Sequence, residues 1–356
     1  MKGLTSISLT TPTRPPAPWE GRADLSPPAR LLELITGYWI TQLIYVAAKL
    51  RLADLLRAGL RTSDELAGET GAQPQALYRV MRALANVGVF TETAPRMFAN
   101  TPLSEWLRHD VPGSLGPRAL VSGEKDWRAW GALLHGVSTG AIPFDHVHGA
   151  DHFAYLGAHP DEAAAFNETM TQFAEQFYRA VVAAYDFSRF RRIVDIGGGH
   201  GRLLTLVLEA NPQTRGVLFD APRVIEGARP ALVAAGVADR CQCVAGDFFT
   251  SVPAEGDAYL MSHLLHDWGD ENSVAILKNV RGAMARGGRV LIVEKLIPPG
   301  NEPSLAKLMD IHMLVLSGGL ERTEEEYRRL LADAGFRLER IVPTASLMSV
   351  LEARPV

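Results

Sequence analysis

Only two cysteines occur in 356 residues, Cys241 and Cys243, one residue apart. Neither a disulfide nor a CxxC site is expected from them, and a reducing compartment, the cytoplasm, fits. Excess positive charge is also missing. Lys and Arg total 36 against 40 Asp and Glu, for a net charge of −4. Such a chain has no strong electrostatic pull toward nucleic acid or an anionic membrane. No secretory signal is visible. Residues 1–27 are rich in Thr, Ser and Pro, lack an apolar centre, and read as a disordered arm. Long apolar runs are scarce. The most apolar stretch, "ITGYWITQLIYVAAK", leaves 15 residues between Glu33 and Lys49 and is interrupted by Gln42. A bilayer span needs about 20 residues. A helix apolar on all sides is expected to be buried instead, here between two subunits. Internal repeats are absent.

What is there is an ordinary globular mixture, 47% hydrophobic and 21% charged, long enough for two domains. The two halves follow different patterns. Residues 28–185 read as helical, with apolar residues recurring at three and four, as at Leu52, Leu55 and Leu56. Thr62 or Ser63 caps a short helix that Gly71 ends. Pro74 opens the next, Gly88 closes it, and the strand-like "GVFTE" follows. Helix, turn, helix and short strand form the pattern of a winged helix. Its charges argue against DNA. Arg61, Arg79, Arg82 and Arg96 are balanced by Asp64, Glu65, Glu69 and Glu92, whereas a DNA reader carries a basic face. A structural or dimerising role is the better expectation.

Residues 186–356 alternate strand and helix. "RRIVDIGGGHG" is a strand entering a glycine loop, and "RGVLFDAP", "CQCVAGDFF", "DAYLMSHLL" and "RVLIVEKL" are further strands. Alternation of this kind predicts an α/β fold, a Rossmann-like parallel sheet with helices on both faces. The terminal "GFRLERIVPTASLMSVLEARPV" reads as two strands joined by a short turn, so the last strand should run antiparallel.

Glycines at 197, 199 and 201 fall one residue short of the dinucleotide fingerprint. With Asp195 two positions before Gly197, the loop suits a ligand without pyrophosphate. Asp220 ends the next strand, where a carboxylate can accept from both ribose hydroxyls. Asp247 follows the third strand, placed to accept from an adenine amino group with Phe248 against the ring. The plainer readings are that Asp220 caps a helix and Asp247 sits in a turn. Three successive acid-bearing strand ends fit a nucleoside site. The stretch "SHLLHDWGDE" adds two histidines, a tryptophan and three carboxylates after the fourth strand. Within it, His263, His266, Asp267, Asp270 and Glu271 offer metal ligands, although nothing in the spacing shows that they face one point.

In this order and spacing, "VDIGGGHG", "FDAPRVI", "GDFF", "HLLHDWGDE" and "GGLERTEEEY" resemble the S-adenosylmethionine-dependent O-methyltransferases of the plant caffeic acid and bacterial polyketide-tailoring type. The resemblance covers nearly the whole chain. It implies a class I methyltransferase domain, an N-terminal winged-helix-like dimerisation domain, and an intertwined homodimer whose partner closes the site. It implies S-adenosylmethionine as cofactor, an aromatic small molecule as acceptor, and no metal. Carried over residue by residue, His266 is the general base, and Glu294 and Glu321 support it. Asp267 helps hold the acceptor, and Trp268 lines the cofactor pocket with Asp195, Gly197, Gly199, Asp220, Asp247 and Phe248. His263 is left a structural role. One position departs: plant members often carry lysine where this chain has Ser262.

The chemistry suits these residue types. A phenol with a pKa near 10 must lose its proton, and an imidazole within hydrogen-bond reach can take it. A carboxylate on the other ring nitrogen fixes the tautomer and stabilises the imidazolium. Phe166, Met170 and Phe173 share one helical face, a spacing more common in cores. The resemblance makes Phe166, Asn167 and Met170 acceptor contacts. High Ala, Arg and Gly favour a bacterial secondary metabolite over a lignin precursor. Competing expectations are C- or N-methylation, or a hydroxylase- or decarboxylase-type relative that keeps the cofactor and changes the reaction.

Overall fold

The computed structural model describes residues 25–356, apart from the side chains of Asn167 and residues 171–176. Residues 1–24 of the expected arm lie outside the described residues.

The first helix, Pro27–Lys49, starts with proline at a position where no intrahelical N–H is needed. It extends well before the apolar run. At 23 residues it is long and apolar enough to cross a membrane, which corrects the shorter estimate from the sequence. Within the single chain it is not buried either. Leu31, Leu32, Leu34, Ile35, Tyr38 and Trp39 are each more than half exposed, and only Ala47 is buried. Its last turns are anchored. A β-carbon on Gly123 would lie 2.2 Å from the Tyr45 ring, and Tyr45 and Lys49 both donate to Glu124.

The winged-helix pattern forms as expected. Thr62 and Glu65 make a reciprocal capping box for the helix Ser63–Thr70, and Gly71 ends it at φ 69°. The helix Pro74–Asn86 follows. Strands β1 (Arg61–Thr62), β2 (Phe90–Ala94) and β3 (Met97–Asn100) make a small antiparallel sheet in the order β1-β3-β2. Leu66, Leu77, Met81, Leu84, Phe90 and Phe98 fill the space between sheet and helices.

The second half is built on β4 (Arg192–Ile196), β5 (Arg215–Asp220), β6 (Cys241–Ala245), β7 (Ala258–Ser262) and β8 (Arg289–Ile297), all parallel. A two-residue strand, β9 (Arg322–Thr323), pairs with the end of β8. The hairpin β10 (Phe336–Pro343) and β11 (Met348–Pro355) closes the sheet, and β11 runs antiparallel to both β10 and β8. The order is β6-β5-β4-β7-β8-β11-β10. Because helices cover both faces, the central strands are continuous apolar runs and not alternating ones. Val194, Tyr259, Met261 and Ile292 enter one core, and Ile193, Leu218, Leu260 and Leu291 the other. Both cysteines are free; as alternate residues of β6 they share a face. The order reverses between β4 and β7. In open sheets of this kind the crevice beyond the carboxyl ends of those strands is where ligands bind.

Candidate active site

The loop leaving β4 lies in that crevice. Gly199 has φ 60°, a left-handed conformation with open space where a β-carbon would stand. Its N–H donates to Asp220 Oδ2 at 2.8 Å, tying the loop to the end of β5. Gly197 has φ 64° and packs closely on Leu264. Asp195 is buried beneath the loop, against Gly198. Burial and then the nearby Asp220 push its carboxyl up to about 8. It has almost no surface left to offer a ligand.

Asp247 is exposed just beyond β6, where its Oδ1 accepts from Phe249 N–H at 2.9 Å and its Oδ2 from Thr250 at 3.2 Å. It therefore caps its own turn. That turn holds Phe248 beside Phe249, and both meet the Trp268 ring edge-on, at centroid distances of 6.1 and 4.9 Å. The Trp268 indole N–H is buried with no partner among the described residues. Open glycine backbone, a carboxylate at a strand end and an aromatic wall with an unmatched donor fit a nucleoside bearing a short polar tail.

His266 lies a short distance away, in a single 3-10 turn after β7. Its Nδ1 is 3.3 Å from Glu321 Oε1 and 3.7 Å from Glu294 Oε2. Both carboxylates are buried. Their placement favours a proton on Nδ1, so that in the neutral imidazole Nε2 is the acceptor. Nε2 turns toward Asp267, 3.7 Å away. Burial by itself would lower the proton affinity of His266, but Glu294 and Glu321 outweigh it and raise the pKa to about 9. Burial lifts the Glu294 carboxyl, and burial likewise lifts that of Asp267. Burial opposes ionisation of Glu321 too, but His266 and Lys295 hold it below the usual range.

Several supports were not legible in the sequence. Lys295 is buried and donates to Glu321 Oε1 at 3.1 Å. Arg322 is fully buried. It donates to the carbonyls of Leu265 (2.9 Å) and Trp268 (2.8 Å) and reaches Asp270, so it clamps both ends of the His266 turn. Leu320 N–H donates to the His266 carbonyl at 2.8 Å. A β-carbon on Gly319 would stand 2.1 Å from that same carbonyl oxygen, so only glycine allows this strap to lie so close. Asp310 fixes the far side by accepting from Glu321 N–H at 2.9 Å.

His266, Glu294 and Glu321 bring one ligand atom each within 4.8 Å of one another, close enough to share a cation. His263, Asp267, Asp270 and Glu271, also weighed from the sequence, do not join that set. The Lys295 ammonium already touches Glu321 and opposes a second cation there.

On the acceptor side, Phe166 and Met170 both lie on the helix Pro160–Ala184, and Met170 is 45% exposed. Phe166 packs edge-on against His152 at 5.1 Å, with the Lys125 ammonium 5.4 Å from its ring. Lys125 is itself buried against Asp126 and His152. The side chain of Asn167 lies outside the described residues.

Known proteins resemble this chain along most of its length. The profile of an O-methyltransferase domain matches residues 130–337, and that of an O-methyltransferase dimerisation domain matches residues 32–110. Phenazine O-methyltransferase PhzM of Lysobacter antibioticus is 50% identical over 326 residues, covering 92% of this chain and 96% of that protein. The 3-amino-4-hydroxybenzoate 4-O-methyltransferase of Streptomyces cremeus is 43% identical over 314 residues, 88% and 86% of the two chains. Phenazine-1-carboxylate N-methyltransferase of Pseudomonas aeruginosa is 34% identical over 320 residues, 90% and 95%. Among solved structures, LaPhzM superposes with a TM-score of 0.86 at 49% identity, covering 93% of this chain and all of that one. NcsB1 from neocarzinostatin biosynthesis, solved with S-adenosylmethionine and 2-hydroxy-5-methyl naphthoic acid, gives 0.79 at 32% identity, covering 89% and 96%. The sheet order and the helical front half are those of a class I methyltransferase with an N-terminal dimerisation domain, and the cofactor is S-adenosylmethionine. The chain belongs to the O-methyltransferase family and is a methyltransferase.

Proposed function

We propose that the enzyme methylates a hydroxyl oxygen of an aromatic small molecule of bacterial secondary metabolism, in the cytoplasm, with His266 as general base. The observation that carries this is the placement of His266 Nδ1 between two buried carboxylates, with Nε2 left to accept a proton. Bound S-adenosylmethionine supplies an electrophilic methyl on a sulfonium. The protein's part is to hold the acceptor oxygen in line and to take its proton. As Nε2 takes that proton, Glu294 and Glu321 stabilise the imidazolium, and Lys295 balances part of the carboxylate charge. Asp267, beside Nε2, is placed to orient the acceptor. Asp220 is assigned to the ribose, and Phe248, Phe249 and Trp268 to the adenine wall. Asp247 serves by shaping that wall, and Asp195 by supporting the glycine loop. Phe166 and Met170 are assigned to the apolar acceptor wall. The Lysobacter and Streptomyces relatives support an acceptor whose hydroxyl sits on a fused or amino-substituted aromatic ring.

A homodimer is part of this reading, because the exposed apolar face of Pro27–Lys49 lies mostly within the matched dimerisation segment. Mutating Trp39→Glu should release monomers in sedimentation. Nitrogen methylation is the second reading, favoured by the Pseudomonas relative. The decisive test is incubation with methyl-labelled cofactor and a panel of hydroxylated and N-unsubstituted phenazines and aminophenols. Mass spectrometry should find the label on oxygen. Label on ring nitrogen alone, or no labelled product with active enzyme, would overturn the assignment.

A further inference from the structure

His263 stands next to the base without being part of it, and its backbone is in the left-handed region at φ 50°. That conformation is uncommon for a residue with a β-carbon, although His, Asn and Asp tolerate it better than most. Its ring is held on the far side. Nδ1 lies 3.4 Å from Tyr178 Oη and 3.3 Å from Ser262 Oγ, and Ser262 Oγ donates to Tyr178 Oη at 3.3 Å. The ring also meets that of His266 edge-on, 5.4 Å between centroids.

The residues just beyond the turn are each tied to a different part of the site. The Leu264 side chain packs under Gly197 of the cofactor loop, while its N–H donates to Glu294 Oε1 at 3.0 Å. The carbonyls of Leu265 and His266 are taken by Arg322 and Leu320. The left-handed residue at 263 stands where the chain leaves β7 for the turn that makes these contacts. Strain of this kind, when held from several sides, marks positions that orient reacting groups.

We infer that His263 is a positioning residue for His266: its left-handed turn couples the cofactor loop to the imidazole and aims it between Glu294 and Glu321. The inference rests on the proposed role of His266 only where turnover is measured.

Three variants separate turn from ring. His263→Asn keeps a residue tolerant of the turn. His263→Gly keeps the turn and loses the ring. His263→Val excludes the turn. The readouts are ¹⁵N-histidine NMR titration of His266 in the free enzyme, and kcat with the acceptor found by product analysis. His263→Val should bring the His266 titration back toward the ordinary range by at least about one pH unit. It should also lower kcat by roughly 10²-fold or more. His263→Asn and His263→Gly should titrate within about 0.3 pH unit of the wild type, well inside the ordinary spread for histidine. If the valine chain does not fold, His263→Ala takes its place and should fall between Gly and Val. A bulky-side-chain variant that titrates like the wild type, or a glycine variant displaced as far as valine, would overturn the inference. A titration that moves as expected while kcat does not would leave the positioning role standing and remove His266 as base.

Discussion

Replacing Glu321 with glutamine gives the sharpest test of how the proposed base is tuned. The surroundings lift His266 from the ordinary 6.5 to about 9. That difference corresponds to about 3 kcal/mol favouring the imidazolium. It is a net figure. A single carboxylate 3.3 Å from Nδ1 is worth about 5 kcal/mol at an effective dielectric constant near 20, and burial together with Lys295 offsets much of it. The Glu321→Gln side chain would keep an acceptor for Nδ1–H but remove the charge. With Glu294 still in place, His266 should then titrate about one to two pH units lower. The sign for activity follows. As the proposed base, His266 works when neutral, so wild-type kcat/KM should climb with pH toward about 9 and level off. In Glu321→Gln the climb should end near pH 7 to 8. The plateau should fall by roughly 10- to 100-fold, because the imidazolium formed during transfer has lost half of its stabilisation. NMR titration of the free enzyme reads the first effect without interference from the ionisation of a phenolic acceptor. A midpoint unchanged within about 0.3 pH unit, or one that moves upward, would refute the electrostatic account of this site.

Three further outcomes are expected. Asp220→Ala should weaken binding of S-adenosylhomocysteine by roughly 10- to 100-fold, the worth of hydrogen bonds to a charged group, with secondary structure intact; unchanged affinity by calorimetry would remove the ribose assignment. Gly319→Ala should destabilise the chain by about 2 kcal/mol or more in urea unfolding, since its β-carbon would collide with the His266 carbonyl and backbone would have to move; a variant as stable as the wild type would show that the strap is loose. Turnover should survive dialysis against a chelator, because Lys295 already serves Glu321; activity lost there and restored by a divalent cation would make His266, Glu294 and Glu321 a metal site.

The strands, the glycine loop and the closing antiparallel hairpin were legible because each is written locally, as an apolar run, a glycine cluster or a turn. Even local capping was readable at Thr62 and Gly71. His266, Glu294 and Glu321 were legible only through the resemblance, since no periodicity announces that segments so far apart will meet. Lys295, Arg322 and Gly319 were missed for the same reason. A buried Arg after a glycine pair looks like any polar loop until its carbonyl partners are known. Asp247 was legible as the acid that follows the third strand, and its carboxylate also accepts from its own turn, as in the plainer reading. The first helix is exposed in the single chain, because the burial expected for it lies between two subunits and depends on a second copy.

The carboxylates around His266 arrive late in the chain. Leu264 waits for Glu294, 30 residues on, and His266 for Glu321, 55 residues on. Until β8 has entered the sheet and the strap from Gly319 to Arg322 has closed over the turn, His266 is an ordinary histidine. The setting proposed to make His266 a base is thus complete only when these late segments have packed. A His266 titration displaced from the ordinary histidine range would then report that these late segments have packed.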